Sequence, residues 1–202
     1  MKYYAVIDTN VLVSFLLTKN RESSVVKVIN LIEKGVIIPI IHSEIVDEYK
    51  EVLGRVELKI AKPLASNLID TITDTGIYCD RKEANEIFPD PDDIVFYEVS
   101  LSVENSYLIT GNLKHFPKNG HVVTPAEMLQ IIHLSENSTD SICEPTFEYM
   151  SEKRKKTMDK VSEAFDRIRK YVSESDAPEL TMDEINEEIR KYREERRQKR
   201  GK

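Results

Sequence analysis

YYAVIDTNVLVS, residues 3–14, decides how the rest of the chain is read. Tyr3 to Ile7 is a short apolar, β-branched run that stops abruptly at Asp8-Thr9-Asn10. Such a run reads as a buried strand ending in a polar loop, and a helical pattern follows it.

Working outward, the same alternation repeats. Val25, Val26, Ile29 and Ile32 keep helical spacing up to Gly35, and Val36 to Ile41 predicts a second buried strand. Ser43 is placed to cap the next helix, with Ile45, Val46, Tyr49, Val52 and Leu53 on its apolar face. Leu64, Leu68, Ile69 and Ile72 suggest a helix before Gly76, and Ile77 to Cys79 a third strand. Asp90-Pro91-Asp92-Asp93 is an acidic, Pro-containing helix start that continues into Ile94, Phe96, Tyr97, Val99 and Leu101. Tyr107 to Ile109 predicts a fourth strand, Val122 and Val123 a short fifth, and Pro125 to Ile132 a closing helix. Strands alternating with helices imply an α/β fold, with a mostly parallel sheet covered on both faces.

Residues 135–146, SENSTDSICEPT, are polar and aperiodic and read as a linker between a domain at 1–134 and a charged helical tail at 147–202. In the tail, Met158, Val161, Phe165, Ile168 and Val172 form a sparse stripe on a long helix that Ser175-Asp176-Ala177-Pro178 breaks. Thr181 starts another helix, with Glu184 as its capping-box partner and Met182, Ile185, Ile189 and Tyr192 along one edge.

Charge separates the two parts. Residues 1–143 hold 13 basic against 21 acidic side chains, and residues 144–202 hold 16 against 15. An acidic domain repels nucleic acid unless cations offset its charge. The two cysteines, Cys79 and Cys143, are too few for a disulfide framework or a zinc site. Asp8 and Asn10 interrupt what would be the apolar region of a signal peptide, and no run approaches the roughly 20 apolar residues of a membrane span. A cytoplasmic protein without a membrane partner is expected.

In a parallel sheet, ligands gather beyond the carboxyl ends of the strands. Asp8 sits at such an end, Asp90, Asp92 and Asp93 at a helix start, Glu48 one turn into the helix after the second strand, and Asn112 after the fourth strand in Thr110-Gly111-Asn112. Converging carboxylates repel unless protons or cations separate them, and Mg²⁺ or Mn²⁺ suits an all-oxygen set. Each residue also has a plainer reading: Asp8 as a helix cap, Asp90 to Asp93 as complements to a helix dipole, Glu48 as a solvated side chain. The combination carries the specificity.

VIDTNVLVS at 6–14, SEIVDEYKEVLGR at 43–55, DPDDIVFYEVSL at 90–101 and YLITGNLKHFP at 107–117 together resemble the PIN-domain nucleases, in particular the toxins of bacterial toxin–antitoxin pairs. The resemblance covers residues 1 to about 132 and implies a three-layer α/β fold, divalent-metal ribonuclease activity and a tendency to dimerise. Asp8, Glu48 and Asp93 match the first three family acids, Asn10 the polar residue beside the first, and Asp90 is a nearby further ligand. The fourth acid follows Thr110-Gly111 in the family, whereas this chain has Asn112, which supplies a neutral oxygen and puts a second metal in question. His115, three residues on, is placed to act on a phosphate or to support the structure.

PELTMDEINEEIRKYREERR in the tail resembles the carboxyl-terminal segments of small antitoxins, which wrap a toxin and can place an arginine against its acids. Arg190 and Arg193 are then the expected contacts, with Arg196 and Arg197 nearby, and the tail docks on its own core or on another chain. A solvated charged helix or an assembly arm is the plainer reading. Two other functions fit parts of the sequence: phosphoryl transfer through an Asp8 phosphate, which lacks the usual second Asp where Asn10 stands, and a catalytically degenerate binding module.

Overall fold

A computed structural model describes residues 1–138, 152–175 and 179–200. Five parallel strands form one sheet in the order β3-β2-β1-β4-β5, with β1 at Tyr3–Ile7, β2 at Ile37–Ile41, β3 at Ile77–Tyr78, β4 at Tyr107–Ile109 and β5 at Val122–Val123. Helices α1 (Thr9–Leu17), α2 (Ser24–Glu33), α3 (Ser43–Leu53), α4 (Lys62–Thr75), α5 (Ile94–Ser100) and α6 (Pro125–Ser138) flank it. The expected α/β architecture is therefore the observed one.

Strand β1 is central because both neighbours pair with it in parallel, Ala5 opposite Pro39 on one side and Tyr107 on the other. Ala5, Val6 and Ile7 are buried, as a strand covered on both faces requires. The chain winds from β1 to β2 and β3 in one direction and then crosses to β4 and β5 in the other. The crevice between the carboxyl ends of β1 and β4 is thus the point where strand order reverses, the usual binding position in an open parallel sheet.

Local details differ from the sequence reading in three places. Thr9 and Asn10 already belong to the first turn of α1, so β1 passes into the helix with Asp8 as the cap and no intervening loop. His42, not Ser43, caps α3, its Nδ1 accepting from the Glu44 amide at 3.3 Å. Helix α6 runs on to Ser138, beyond the expected start of the linker at 135. The rest of that linker, including Cys143, and the side chain of Met158 lie outside the described residues.

The tail forms α7 (Glu152–Glu174) and α8 (Met182–Arg200), and both pack on the domain. Val161, Phe165, Ile168 and Val172 of α7 join the same apolar core as the sheet, with Phe165 meeting Phe15 edge to face at 6.1 Å. Their spacing places them on one helical face that contacts α1, α2 and α4. Helix α8 begins with the expected capping box, in which Thr181 Oγ1 accepts from the Glu184 amide at 3.3 Å and the Thr181 amide donates to Glu184 Oε2 at 2.8 Å. It lies along α1 and buries Ile185, Ile189 and Tyr192.

Candidate active site

Asp8 caps α1 only weakly, its Oδ1 accepting from the Asn10 amide at 3.4 Å. The stronger bonds reach Oδ2, from Thr110 Oγ1 at 2.6 Å and Asn10 Nδ2 at 2.8 Å. Thr110 comes from the end of β4 and Asn10 from α1, so the carboxylate is fixed by both walls of the switch-point crevice. Asn10 is oriented in turn by the Gly111 amide, which donates to its Oδ1 at 2.9 Å. Burial raises the Asp8 pKa to about 6, reinforced by the negative charges of Asp93 and Glu48 and opposed by Arg193 and the Thr110 hydrogen bond.

Glu48 is buried although it stands on a charge-rich helix. Tyr49, next to it, donates its hydroxyl to the Ile7 carbonyl and so locks α3 against the end of β1. Thr9 Oγ1 then donates to Glu48 Oε1 at 2.7 Å. Asp90 and Asp93 enter from a 3₁₀ turn at Pro91–Asp93 that precedes α5. The four carboxyl groups of Asp8, Glu48, Asp90 and Asp93 thereby converge from three separate parts of the chain, and all four are buried.

The cation in their midst is a guanidinium. Arg193 of α8 donates from Nη2 to Glu48 Oε1 at 2.8 Å, from Nε to Glu48 Oε2 at 3.3 Å, and from Nη1 to Asp93 Oδ1 at 2.6 Å and Asp90 Oδ2 at 3.1 Å. Only 3% of the residue is exposed. Burial alone would lower its pKa, but Glu48 and Asp93 outweigh that and hold it well above the ordinary value, so it stays charged. Burial likewise pushes the Asp90 carboxyl up, yet Arg193, the Asp92 amide and Arg197 overcome it and leave the pKa below the usual carboxylate range. Arg197 Nη1 also donates to Asp90 Oδ1 at 3.1 Å, and Arg196 Nη2 to Asp92 Oδ1 at 2.7 Å.

The remaining candidates are distributed unevenly. His115 Nδ1 lies 2.8 Å from Asp93 Oδ2, and that hydrogen bond raises the imidazole pKa. Asn112 borders the same crevice, but what it contributes to the network is its backbone, the amide donating to Thr110 Oγ1 at 2.9 Å. Arg190, expected to contact the acids, borders the same crevice but pairs within its own helix, with Glu187 at 2.7 Å and Glu194 at 2.6 Å, and is half exposed. Two tail residues join the site unexpectedly: Asn186, whose Oδ1 accepts from Asn10 Nδ2 at 3.0 Å, and Met182, read from the sequence only as part of an apolar edge, which covers Gly111. Met182, Asn186, Ile189, Arg193 and Arg197 follow steps of four, three, four and four residues, the single-face spacing that would have revealed them together.

An all-oxygen cluster of this kind has the chemistry for a hard divalent cation. Among the described residues, however, no three His, Cys, Asp or Glu side chains are grouped as a metal site, because these carboxylates are spaced around a guanidinium. The crevice left beside it measures ≈ 20 Å³, room for about one water molecule and not for a nucleotide. No helix among the described residues is long and apolar enough to cross a membrane.

A family model described as a PIN domain matches residues 4–114, the segment that supplies every carboxylate of the cluster. No curated protein and no solved structure matches the chain.

Proposed function

The chain belongs to the PIN-domain family, whose members are generally metal-dependent nucleases, and on that footing we propose that it is a Mg²⁺- or Mn²⁺-dependent endoribonuclease serving as the toxin of a toxin–antitoxin system. The observation that carries the reading is the meeting of Glu48, Asp90 and Asp93 on one cation, with Asp8 buried beside them. Four carboxyl groups packed together destabilise one another, so a fold that retains them at the switch point has a use for the site they form.

When bound, a divalent ion supplies Lewis-acid stabilisation to a phosphodiester and an activated water for in-line attack. Glu48, Asp90 and Asp93 would hold it, with Asp8 closing the set from the other wall. Thr110 and Asn10 keep Asp8 in one orientation, and Asp93 keeps the His115 imidazole protonated to higher pH than usual, suited to a scissile phosphate. RNA rather than DNA is the proposed substrate.

The test is cleavage of a mixed RNA pool by the full chain and by its Arg193→Ala variant across a Mn²⁺ series, with Asp8→Asn as control and single-stranded DNA in parallel. RNA cleavage that EDTA and the Asp8 substitution both abolish is the expected result. Absence of cleavage by either protein at saturating Mn²⁺ would leave a degenerate binding module as the better account, and preference for DNA would replace the substrate.

A further inference from the structure

We propose that α8 is a built-in plug: Arg193 occupies the place of the divalent cation between Glu48, Asp90 and Asp93, so docking of this helix and loading of the site with metal exclude each other. The nuclease reading above is needed only to say what is silenced, since the competition itself follows from the contacts.

Three observations make this more than an incidental ion pair. First, the fork is bidentate on Glu48 and its far end is shared by two aspartates, so all three acidic ligands face one group. A buried arginine persists only where its desolvation is offset in this way, and removing either side leaves an uncompensated charge. Second, the same helix face is fitted along its whole length. Met182 lies where a Gly111 side chain would be, so a larger residue at 111 would force the Met182 side chain to move. Asn186 bonds Asn10, the residue that orients Asp8, and Arg196 and Arg197 cover Asp92 and Asp90. Third, Glu195 on the flank pairs with Arg55 at 3.1 Å, just beyond α3, the helix that bears Glu48. Helix α8 therefore contacts both walls of the crevice and the turn that carries the aspartates, as a substrate-excluding cover must.

The contacts are made within one chain, so the plug travels with the site it covers, and tethering keeps its local concentration high. Divalent metal acts against it directly, because each carboxylate oxygen taken by an ion is lost to the guanidinium. Release of α8 must also withdraw Ile185, Ile189 and Tyr192, which share the common core with the apolar stripe of α7.

The test compares the full chain with Arg193→Ala, Arg193→Lys and Arg190→Ala, reading Mn²⁺ binding by calorimetry and amide exchange of α8 with and without Mn²⁺, alongside RNA cleavage. The Arg193→Ala protein should bind Mn²⁺ at least about tenfold more tightly, the gain expected when the competent state is otherwise populated below a tenth. Arg193→Lys, which keeps charge but not the fork, should fall between, and Arg190→Ala should match the parent. Mn²⁺ should also accelerate α8 exchange in the parent chain. Equal Mn²⁺ affinity in all four proteins, or α8 protection that Mn²⁺ leaves unchanged, would overturn the plug. Metal competition without RNA cleavage in any protein would retain the plug and remove the ribonuclease, whereas equal cleavage with equal metal affinity would do the reverse.

Discussion

Asp93 is shared between two partners, one on each oxygen, with His115 Nδ1 at 2.8 Å from its Oδ2 and Arg193 Nη1 at 2.6 Å from its Oδ1. The histidine pair is local to the domain and the arginine pair ties the tail to it, so the two respond differently to pH. The pKa of His115 is raised by Asp93, and its stabilising charge is therefore complete below the ordinary value of about 6.5 and is lost as pH rises through the higher folded value. Arg193 remains charged throughout. Replacing His115 by Ala should thus lower stability at pH 5.5 more than at pH 8.5, by urea unfolding, while leaving α8 protected from amide exchange at both. Equal losses at the two pH values would show that the imidazole acts through packing alone.

Asp8 has a dependence of the same sign in a lower pH window. Its pKa is raised from 3.8 to about 6 by burial, so the folded chain holds a proton that the unfolded chain releases, and ionising Asp8 costs stability as pH rises from about 4 to 6. Above that window the cost is constant at ~3 kcal/mol as an upper figure, since one pKa unit is about 1.4 kcal/mol. Asp8→Asn should therefore flatten the stability profile and, in EDTA at pH 7.5, make the metal-free protein more stable than its parent. Part of the gain is offset because the new amide faces the Asn10 backbone N–H, which can only donate. Parallel urea profiles for the two proteins from pH 4 to 7.5 would refute this account of Asp8.

Breaking the buried guanidinium contact should have a conditional cost. In EDTA at pH 7, Arg193→Ala leaves Glu48, Asp90 and Asp93 without their cation and should destabilise the fold by roughly 3 kcal/mol. Millimolar Mn²⁺ should recover most of that loss in the variant and add little to the parent. Thermal melts of both proteins with and without Mn²⁺ measure it, and a loss that Mn²⁺ does not diminish would place no metal among these carboxylates.

The neutral residue at the end of the family pattern gives a separate handle. Asn112 borders the crevice through a turn that its own amide anchors to Thr110, and an aspartate there would add a charged oxygen without moving the backbone. Asn112→Asp, introduced beside Arg193→Ala so that the tail does not compete, should tighten Mn²⁺ binding by about tenfold, or ~1.4 kcal/mol. Calorimetry that finds the same affinity would put residue 112 outside the metal's reach.

The sheet and its helices are legible because the strands are short apolar runs between helical patterns, and the acids because Asp8 stands where β1 ends, Glu48 one turn into α3, and Asp90 and Asp93 at a helix start. Helix α3 shows the limit: Ser43 has the better capping chemistry, but the chain enters the helix one residue earlier and His42 takes the role. Arg190 and Arg193 were equivalent in the sequence and are not in space. On α8, Arg193 shares the face of Ile189 and Asn186 that meets the domain, whereas Arg190 is turned to Glu187 and Glu194. Selecting between them requires the helix's rotation about its axis, which follows from packing against α1.

Packing also changes what removal of the tail should do. Sequence alone suggests that deleting residues 147–202 would simply uncover the acidic site. Phe165, Ile168, Val161 and Val172 are buried in the common core, and α7 covers α1, α2 and α4, so that deletion would open apolar surface on three helices of the domain. Phe165→Ala alone should cost about 3–5 kcal/mol, the usual range for emptying a fully buried aromatic position. Shortening the chain after residue 181 removes the plug but keeps α7 in place. The shorter deletion should yield a folded protein with increased Mn²⁺ affinity, and the longer one an aggregating or unfolded protein with no activity gain, as read by circular dichroism, thermal melting and calorimetry on both. A stable domain after the longer deletion, with a melting temperature equal to that of the shorter, would mean that α7 contributes nothing to the fold and that the whole tail is a detachable inhibitor.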